Sequence, residues 1–300
     1  MAKPQFTKQM TVAEFDALFP SDDACKAYLQ ARRWPQGVHC PRCGNDKLVE
    51  LKTMPFKWEC MRCGVSTSYR FSVTVGTIFE NSNIGLRAWF KVIYMMLTGK
   101  KGVAALEVQR VMGFGSYRTA HYLCMRVRAG LADPEFRKLV GIVEVDETYV
   151  GGKNKNRHAD KKLEGSGVAN KFPVIGAVTR KGTLVARAVA SVDQATAEAF
   201  IREAVSEKVD LVATDESGLY NRLAKRGIKH ETVRHSAGEY VRGNVHTQTI
   251  DGFWSLLKRG ILGTFHNVSK KYLPLYVAEF EFRYNNRNNP DIFGAAVARC

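Results

Sequence analysis

The sequence predicts a C-terminal domain of α/β or α+β class, built on a mixed sheet, behind a helical N-terminal half that carries a small cysteine-rich module. Three observations lead there. Four of the seven cysteines form two CxxC pairs, Cys40/Cys43 and Cys60/Cys63, separated by sixteen residues. Apolar residues keep a helical period through much of 84–130. After Asp133-Pro134 short alternating, β-rich runs appear and are interleaved with helical ones to the end of the sequence.

Taken in order, Thr11 caps a short helix through Phe19. Ser21, followed by Asp22 and Asp23, caps a second that runs to about Arg33, where Trp34-Pro35 stops it. Residues 1–37 form an N-terminal helical segment on this reading. Residues 38–72 read as short hairpins around the cysteines, with alternating stretches at 48–51 and 57–59. Leu86, Trp89, Phe90, Ile93, Met96 and Leu97 share one face of a helix over 84–97, and the glycines and lysines of 99–102 break it. Helices over 103–112 and 117–130 flank the turn Gly113-Phe114-Gly115, with Ser116 placed to cap the second. This outlines a helix-turn-helix within a helical region spanning 73–132. The last domain, 138–300, has strands over 142–150, 174–178, 184–191, 211–214 and 229–233, a helix over 195–207, and closing helices over 249–261 and 269–284. In the last of these, Phe280, Phe282 and Tyr284 read as core residues.

With 45 Lys+Arg against 29 Asp+Glu, the 300-residue chain has a formal charge of +16, and 45% of it is hydrophobic. That composition excludes a mostly disordered chain and points to a polyanionic partner. The longest apolar run, 88–97, is broken by Lys91 and is half the length a membrane span needs, about 20 residues. The N-terminus has no apolar signal-peptide core. The expected compartment is the cytoplasm, in association with the nucleoid, and no membrane partner is expected.

In a reducing compartment, two CxxC pairs at this separation read as a zinc site rather than as disulfides. Each CxxC bends into a knuckle that aims two thiolates at one point, and the intervening hairpin brings the pairs together. Four thiolates leave no open coordination position, so the zinc is structural. Arg42, Lys47, Lys52, Lys57, Arg62 and Arg70 make this ribbon basic. The second helix of the helix-turn-helix carries Tyr117, Arg118, His121, Arg126 and Arg128, residue types that reach phosphates and base edges. Arg118, His121 and Arg126 are therefore candidate DNA contacts. So are Lys153, Lys155 and Arg157, in the basic stretch 151–171 that directly follows the first strand of the last domain.

The carboxylates carry the chemistry. Alternation over 142–150 puts Ile142, Glu144, Asp146 and Thr148 on one face of a strand and Val143, Val145 and Glu147 on the other. Asp215 ends another apolar strand. Acids at the ends of buried strands are costly unless a cation or hydrogen bonds compensate them. Asp251, near the start of a helix, is the candidate third acid, and Lys258 lies seven residues, or two helical turns, further along the same face, within reach of a phosphate. Three oxygen ligands from two strands and a helix suit two magnesium or manganese ions about 4 Å apart and in-line phosphoryl transfer.

These motifs resemble those of bacterial insertion-sequence DDE transposases of the ISXO-like group. The resemblance rests on the run from Val145 to Lys153, on Thr214-Asp215 with Tyr220, on the run from His246 to Gly260, and on Gly263-Thr-Phe-His266 and Glu279-Phe-Glu-Phe-Arg-Tyr-Asn285. With the N-terminal zinc ribbon it spans about residues 40–287. The resemblance implies an α+β, mixed, ribonuclease H-like catalytic domain over 138–300. It also implies Mg2+- or Mn2+-dependent cleavage and strand transfer on double-stranded DNA, both terminal inverted repeats and target. Asp146 and Asp215 match the first two catalytic acids. At the third, the family commonly reads Asn-Thr-Ile-Glu-Gly-Phe-Trp where this chain has Gln248-Thr-Ile-Asp251-Gly-Phe-Trp. The shorter acid requires the helix to approach by roughly 1.5 Å, one bond length. Either the site tolerates Asp, or activity is impaired and the chain is a transposase-derived DNA-binding protein, or Glu147 substitutes. A homodimer on DNA is expected, because two element ends are joined in one event.

Overall fold

The computed structural model describes residues 10–63, 69–133, 136–151, 171–180, 182–221, 223, 227–233, 241 and 245–300. They form two compact units, Met1–Leu131 with Asn288–Cys300, and Ala132–Arg287.

The first unit opens with α1 (Val12–Leu18) and α2 (Asp22–Arg33), both at the caps the sequence announces. Thr11 and Glu14 form a reciprocal capping box, and Ser21 Oγ accepts from the Ala24 amide at 3.2 Å. The ribbon is a three-stranded antiparallel sheet, β1 (Leu48–Glu50), β2 (Lys57–Cys60) and β3 (Tyr69–Ser72), with β2 central. Trp58 on β2 packs between Trp34 and Phe71, with ring centroids at 5.6 and 5.8 Å. Next come α3 (Leu86–Thr98), α4 (Ala105–Met112) and α5 (Tyr117–Leu131). Gly113 takes the left-handed conformation, φ +67°, that ends α4 and turns the chain toward α5.

The second unit holds β4 (Leu139–Val150), β5 (Phe172–Thr179), β6 (Leu184–Ala188), α6 (Gln194–Ala204), β7 (Val205–Thr214), β8 (His230–Thr232), α7 (Gln248–Gly260) and α8 (Leu273–Asn285). Its sheet runs β6-β5-β4-β7-β8. The β6–β5 and β5–β4 pairs are antiparallel, and β4–β7 and β7–β8 are parallel. The sheet is mixed, as expected, and the first strand of the unit lies at its centre. Val143, Val145, Ile175, Ala177, Val185 and Val212 bury one face against Ala197, Phe200, Ile201 and Ala204 of α6. The expected helix over 195–207 is shorter, because from Val205 onward the residues pair with β4.

The edge strand β6 is closed by α8. Asn285 accepts from the Leu184 amide at 2.8 Å and donates to its carbonyl at 2.9 Å, while Glu281 accepts from the Ala186 amide at 3.1 Å. These side chains replace the missing neighbour strand. Phe280 and Phe282 are buried as expected.

The last domain was expected to extend to residue 300, but the second unit ends at Arg287. The remaining residues form a helix absent from the sequence reading, α9 (Ile292–Arg299), which belongs to the first unit. Phe293 supplies the reason: its ring packs against Phe15, Phe19, Tyr28 and Phe90.

Candidate active site and metal centre

The zinc ligands converge. Cys40, Cys43, Cys60 and Cys63 place their sulfurs within 4.8 Å of one another, all as free thiols. Cys40 and Cys63 are 3.9 Å apart, and Cys43 and Cys60 are 3.7 Å apart. A tetrahedron with metal–sulfur bonds of about 2.3 Å has edges of about 3.8 Å, so the four sulfurs fit zinc. Gly44, at φ +69°, donates its amide to the Cys40 carbonyl at 2.8 Å and closes the first knuckle.

The helix-turn-helix exposes Tyr117 and Arg118. His121 and Arg126 are half-buried, and Arg126 donates to the Tyr122 hydroxyl at 2.5 Å. Burial, then the nearby Arg128 charge, lowers the His121 pKa, so its imidazole is disposed to be neutral. Arg128, read from the sequence as part of the same surface, is 1% exposed and points into the first unit. Its position on α5 falls on the face occupied by Leu123, Cys124 and Val127. Lys153, Lys155 and Arg157 lie outside the described residues.

In the second unit, the parallel register sets Ile142 against Leu211 and Glu144 against Ala213. The pairing ends there; Asp146 lies two residues further along β4, and Asp215 directly follows β7 at the same end of the two parallel strands. The electrostatics agree: Asp146 is pushed up to about 7, first by burial, then by the charges of Glu147 and Asp215. The Glu147 amide and the Trp254 indole oppose that rise. Glu147 is also raised, by burial and by Asp215, against the hydroxyl of Tyr220, which donates to Glu147 Oε2 at 2.6 Å. Asp215 accepts from the Ser217 amide at 3.0 Å, and Thr214 beside it bonds to His230 Nε2 at 2.9 Å.

Asp251 is exposed near the start of α7, where its Oδ2 accepts from the Thr247 hydroxyl at 3.2 Å, and Lys258 is exposed further along the same helix. Among the described residues, the cysteines are the one group of three or more metal-ligating side chains whose ligand atoms all lie within 4.8 Å of one another. Asp146, Asp215 and Asp251 do not gather that tightly.

Two contributors were not assigned by sequence reasoning. Glu144 is fully buried and accepts from the Thr249 amide (2.8 Å), the Ile250 amide (3.1 Å) and the Thr249 hydroxyl (2.8 Å). Arg180 Nε donates to it at 3.0 Å, and His246 Nδ1 lies 3.2 Å away. Thr247, the N-cap of α7, makes no side-chain capping bond, so a strand carboxylate performs the capping from outside the helix. The second is Trp254, whose Nε1 donates to Asp146 Oδ2 at 2.8 Å. Glu144 had a signal in the sequence: a charge on the same strand face as Asp146, in a run too apolar to leave it unpaired.

These features define a protein with a four-cysteine ribbon in one unit and, in the other, a mixed-sheet domain with acids inside its central strand and just past the end of the parallel neighbour, beside a helix. Residues 138–285 match the ISXO2-like transposase domain, and residues 20–66 match the transposase zinc-ribbon domain. A protein of the transposable element ISH50 of Halobacterium salinarum, an archaeon, is 28% identical over 280 residues, covering 88% of this chain and 91% of its own length. The expected restriction to bacteria is thus not shown, since this relative is archaeal. Among solved structures, the catalytic core domain of HTLV-2 integrase is 17% identical over 49% of this chain and 88% of its own, with a TM-score of 0.29. A chain of the simian T-cell lymphotropic virus intasome is 15% identical over 65% of each, with a TM-score of 0.32. Both likenesses are slight. Among the described residues, no helix is long and apolar enough to cross a membrane.

Proposed function

We propose that this chain is a DNA transposase that binds the terminal inverted repeats of an insertion sequence and catalyses metal-dependent strand cleavage and strand transfer. The supporting observation is the Asp146 carboxyl on the central strand, driven to about 7 by burial and by the nearby charges of Glu147 and Asp215. Such a cluster is stabilised by a cation, and oxygen donors alone suit magnesium or manganese. When bound, two such ions supply activation of the attacking oxygen and stabilisation of the leaving one.

The residues of the chain then divide the work. Asp146 and Asp215 are the metal-binding acids, with Asp251 as the third ligand from α7. Lys258 neutralises a phosphate. Water attacks the phosphodiester at the element end, losing a proton as the P–O3′ bond breaks, and the freed 3′-hydroxyl attacks a target phosphodiester in the same way. Structural zinc holds the ribbon, and Arg118, His121, Arg126, Lys153, Lys155 and Arg157 contact DNA. Two chains act on one pair of ends as a homodimer. The test is cleavage of a labelled duplex carrying the cognate inverted repeat, with magnesium or manganese, by wild type and Asp146→Ala. Metal-dependent product from wild type alone is the expected result; equal product from both, or none, overturns it. Products joined to a second DNA separate a transposase from a plain nuclease.

A second reading, a transposase-derived protein that binds DNA without cutting, is favoured by the exposure of Asp251 and its Thr247 partner. On that reading Asp251→Glu raises cleavage sharply. Robust cleavage by wild type, unchanged in the variant, removes it.

A further inference from the structure

The helix that carries Asp251 is fastened to the strand that carries Asp146 at two points, one on each side of Asp251. Before it, Glu144 holds the Thr249 and Ile250 amides at 2.8 and 3.1 Å. One helical turn after it, Trp254 Nε1 holds Asp146 Oδ2 at 2.8 Å. The indole is 3% exposed and lies over Gly176, which pairs with Asp146 across β4 and β5. A Cβ on Gly176 would fall 2.7 Å from Trp254 Cη2, so the ring sits where only a glycine leaves room. A ring packed this closely has little rotamer freedom, and its single N–H is committed to Asp146.

We propose that Trp254 is a positioning residue: its indole N–H sets the orientation in which Asp146 presents its carboxylate to a divalent cation, and through the same helical turn ties that orientation to the placement of Asp251. The inference rests on the metal-dependent reading above and goes beyond it by naming the residue that orients the first acid. A carboxylate attached by one rotatable bond turns freely unless a donor fixes one oxygen, and a neutral ring N–H does so without adding a charge that competes with the cation. The link is reciprocal. A cation that draws electron density from Asp146 weakens the N–H···O bond, so the indole proton reports occupancy of the site.

The experiment uses the full zinc-loaded chain, labelled with 15N at its four tryptophans. Magnesium chloride is titrated while the indole resonances are followed, with the Trp254 signal assigned by its disappearance in Trp254→Phe. Calorimetry on the same samples measures magnesium binding. The expected result is a saturable shift of the Trp254 indole alone, absent in Asp146→Asn. In the cleavage assay, Trp254→Phe raises the half-saturating magnesium concentration about 10-fold, and saturating magnesium recovers most of the rate. Calorimetric binding without an indole response overturns the inference and leaves the functional reading in place. Absence of magnesium binding overturns both. A variant that loses rate at every magnesium concentration, with an unchanged half-saturation point, reduces Trp254 to a packing residue and also overturns it. If Trp254→Phe fails to fold, a saturable shift of one indole signal in wild type that is absent in Asp146→Asn still decides the matter.

Discussion

Replacing Asp146 with Asn tests the electrostatic core of the site. The carboxyl rises from 3.8 to about 7 on folding, because the folded chain desolvates it and sets it near Glu147 and Asp215. The sign follows from linkage. Between those two values the folded state binds a proton that the unfolded state has released, so stability falls as pH rises from about 4 to about 7. At about 1.4 kcal/mol per pH unit, the full rise corresponds to roughly 4 kcal/mol, an upper figure for a half-buried group. Asn keeps an acceptor oxygen for Trp254 and carries no charge. Asp146→Asn is therefore expected to be more stable than wild type by up to about 4 kcal/mol at about pH 8 in the absence of divalent metal, and nearly equal to it at about pH 4. The assay is urea unfolding of the zinc-loaded chain followed by circular dichroism across that range. Magnesium should then recover wild-type stability at the higher pH and leave the variant unchanged. A stability difference between the two proteins that does not depend on pH would refute the reasoning.

Gly176→Ala drives a methyl to within 2.7 Å of the Trp254 ring, and a loss of about 1–3 kcal/mol in thermal or urea unfolding is expected, together with reduced cleavage. Unchanged stability would mean that the indole yields easily and does not hold Asp146 in place. Asn285→Ala leaves both the amide and the carbonyl of Leu184 without their partner on an edge strand, a cost of about 1–3 kcal/mol, with increased aggregation on light scattering as the second sign. Chelation of zinc, or Cys60→Ser, is expected to unfold the ribbon, whose short strands cannot hold themselves together. The readouts are a red-shifted emission from Trp58 and loss of inverted-repeat binding in gel shifts.

The local parts of this protein were legible before any fold was known. Thr11 and Ser21 cap their helices through their own near neighbours, Gly113 needs no partner to turn left-handed, and two CxxC knuckles at a ribbon separation are aimed by local backbone. The strand over 142–150 was visible for the same reason, since alternation is a property of consecutive residues. What failed was read over longer range. The segment after residue 287 looked like a tail of the last domain, and only Phe293 against Phe15, Phe19, Tyr28 and Phe90 gives it to the first unit. The start of β7 read as helix because pairing with β4, which no local propensity encodes, overrides it. Arg128 read as a surface contact because charge is seen in a sequence and burial is not.

The candidate site divides along the same line. From the sequence alone come the acids themselves, the thiolate set, and the apolar strand that makes ionised carboxylates costly. Those are matters of residue type and short spacing. Tertiary structure decided which acids share a field: the parallel pairing of β4 with β7 carries Asp215 near enough for its charge to act on Asp146, Glu144 serves as the cap of a helix more than a hundred residues away, and Trp254 rather than a second charge holds Asp146. Such choices depend on strand pairing and helix docking between distant segments, and that energy belongs to the assembled fold and not to any one stretch of chain.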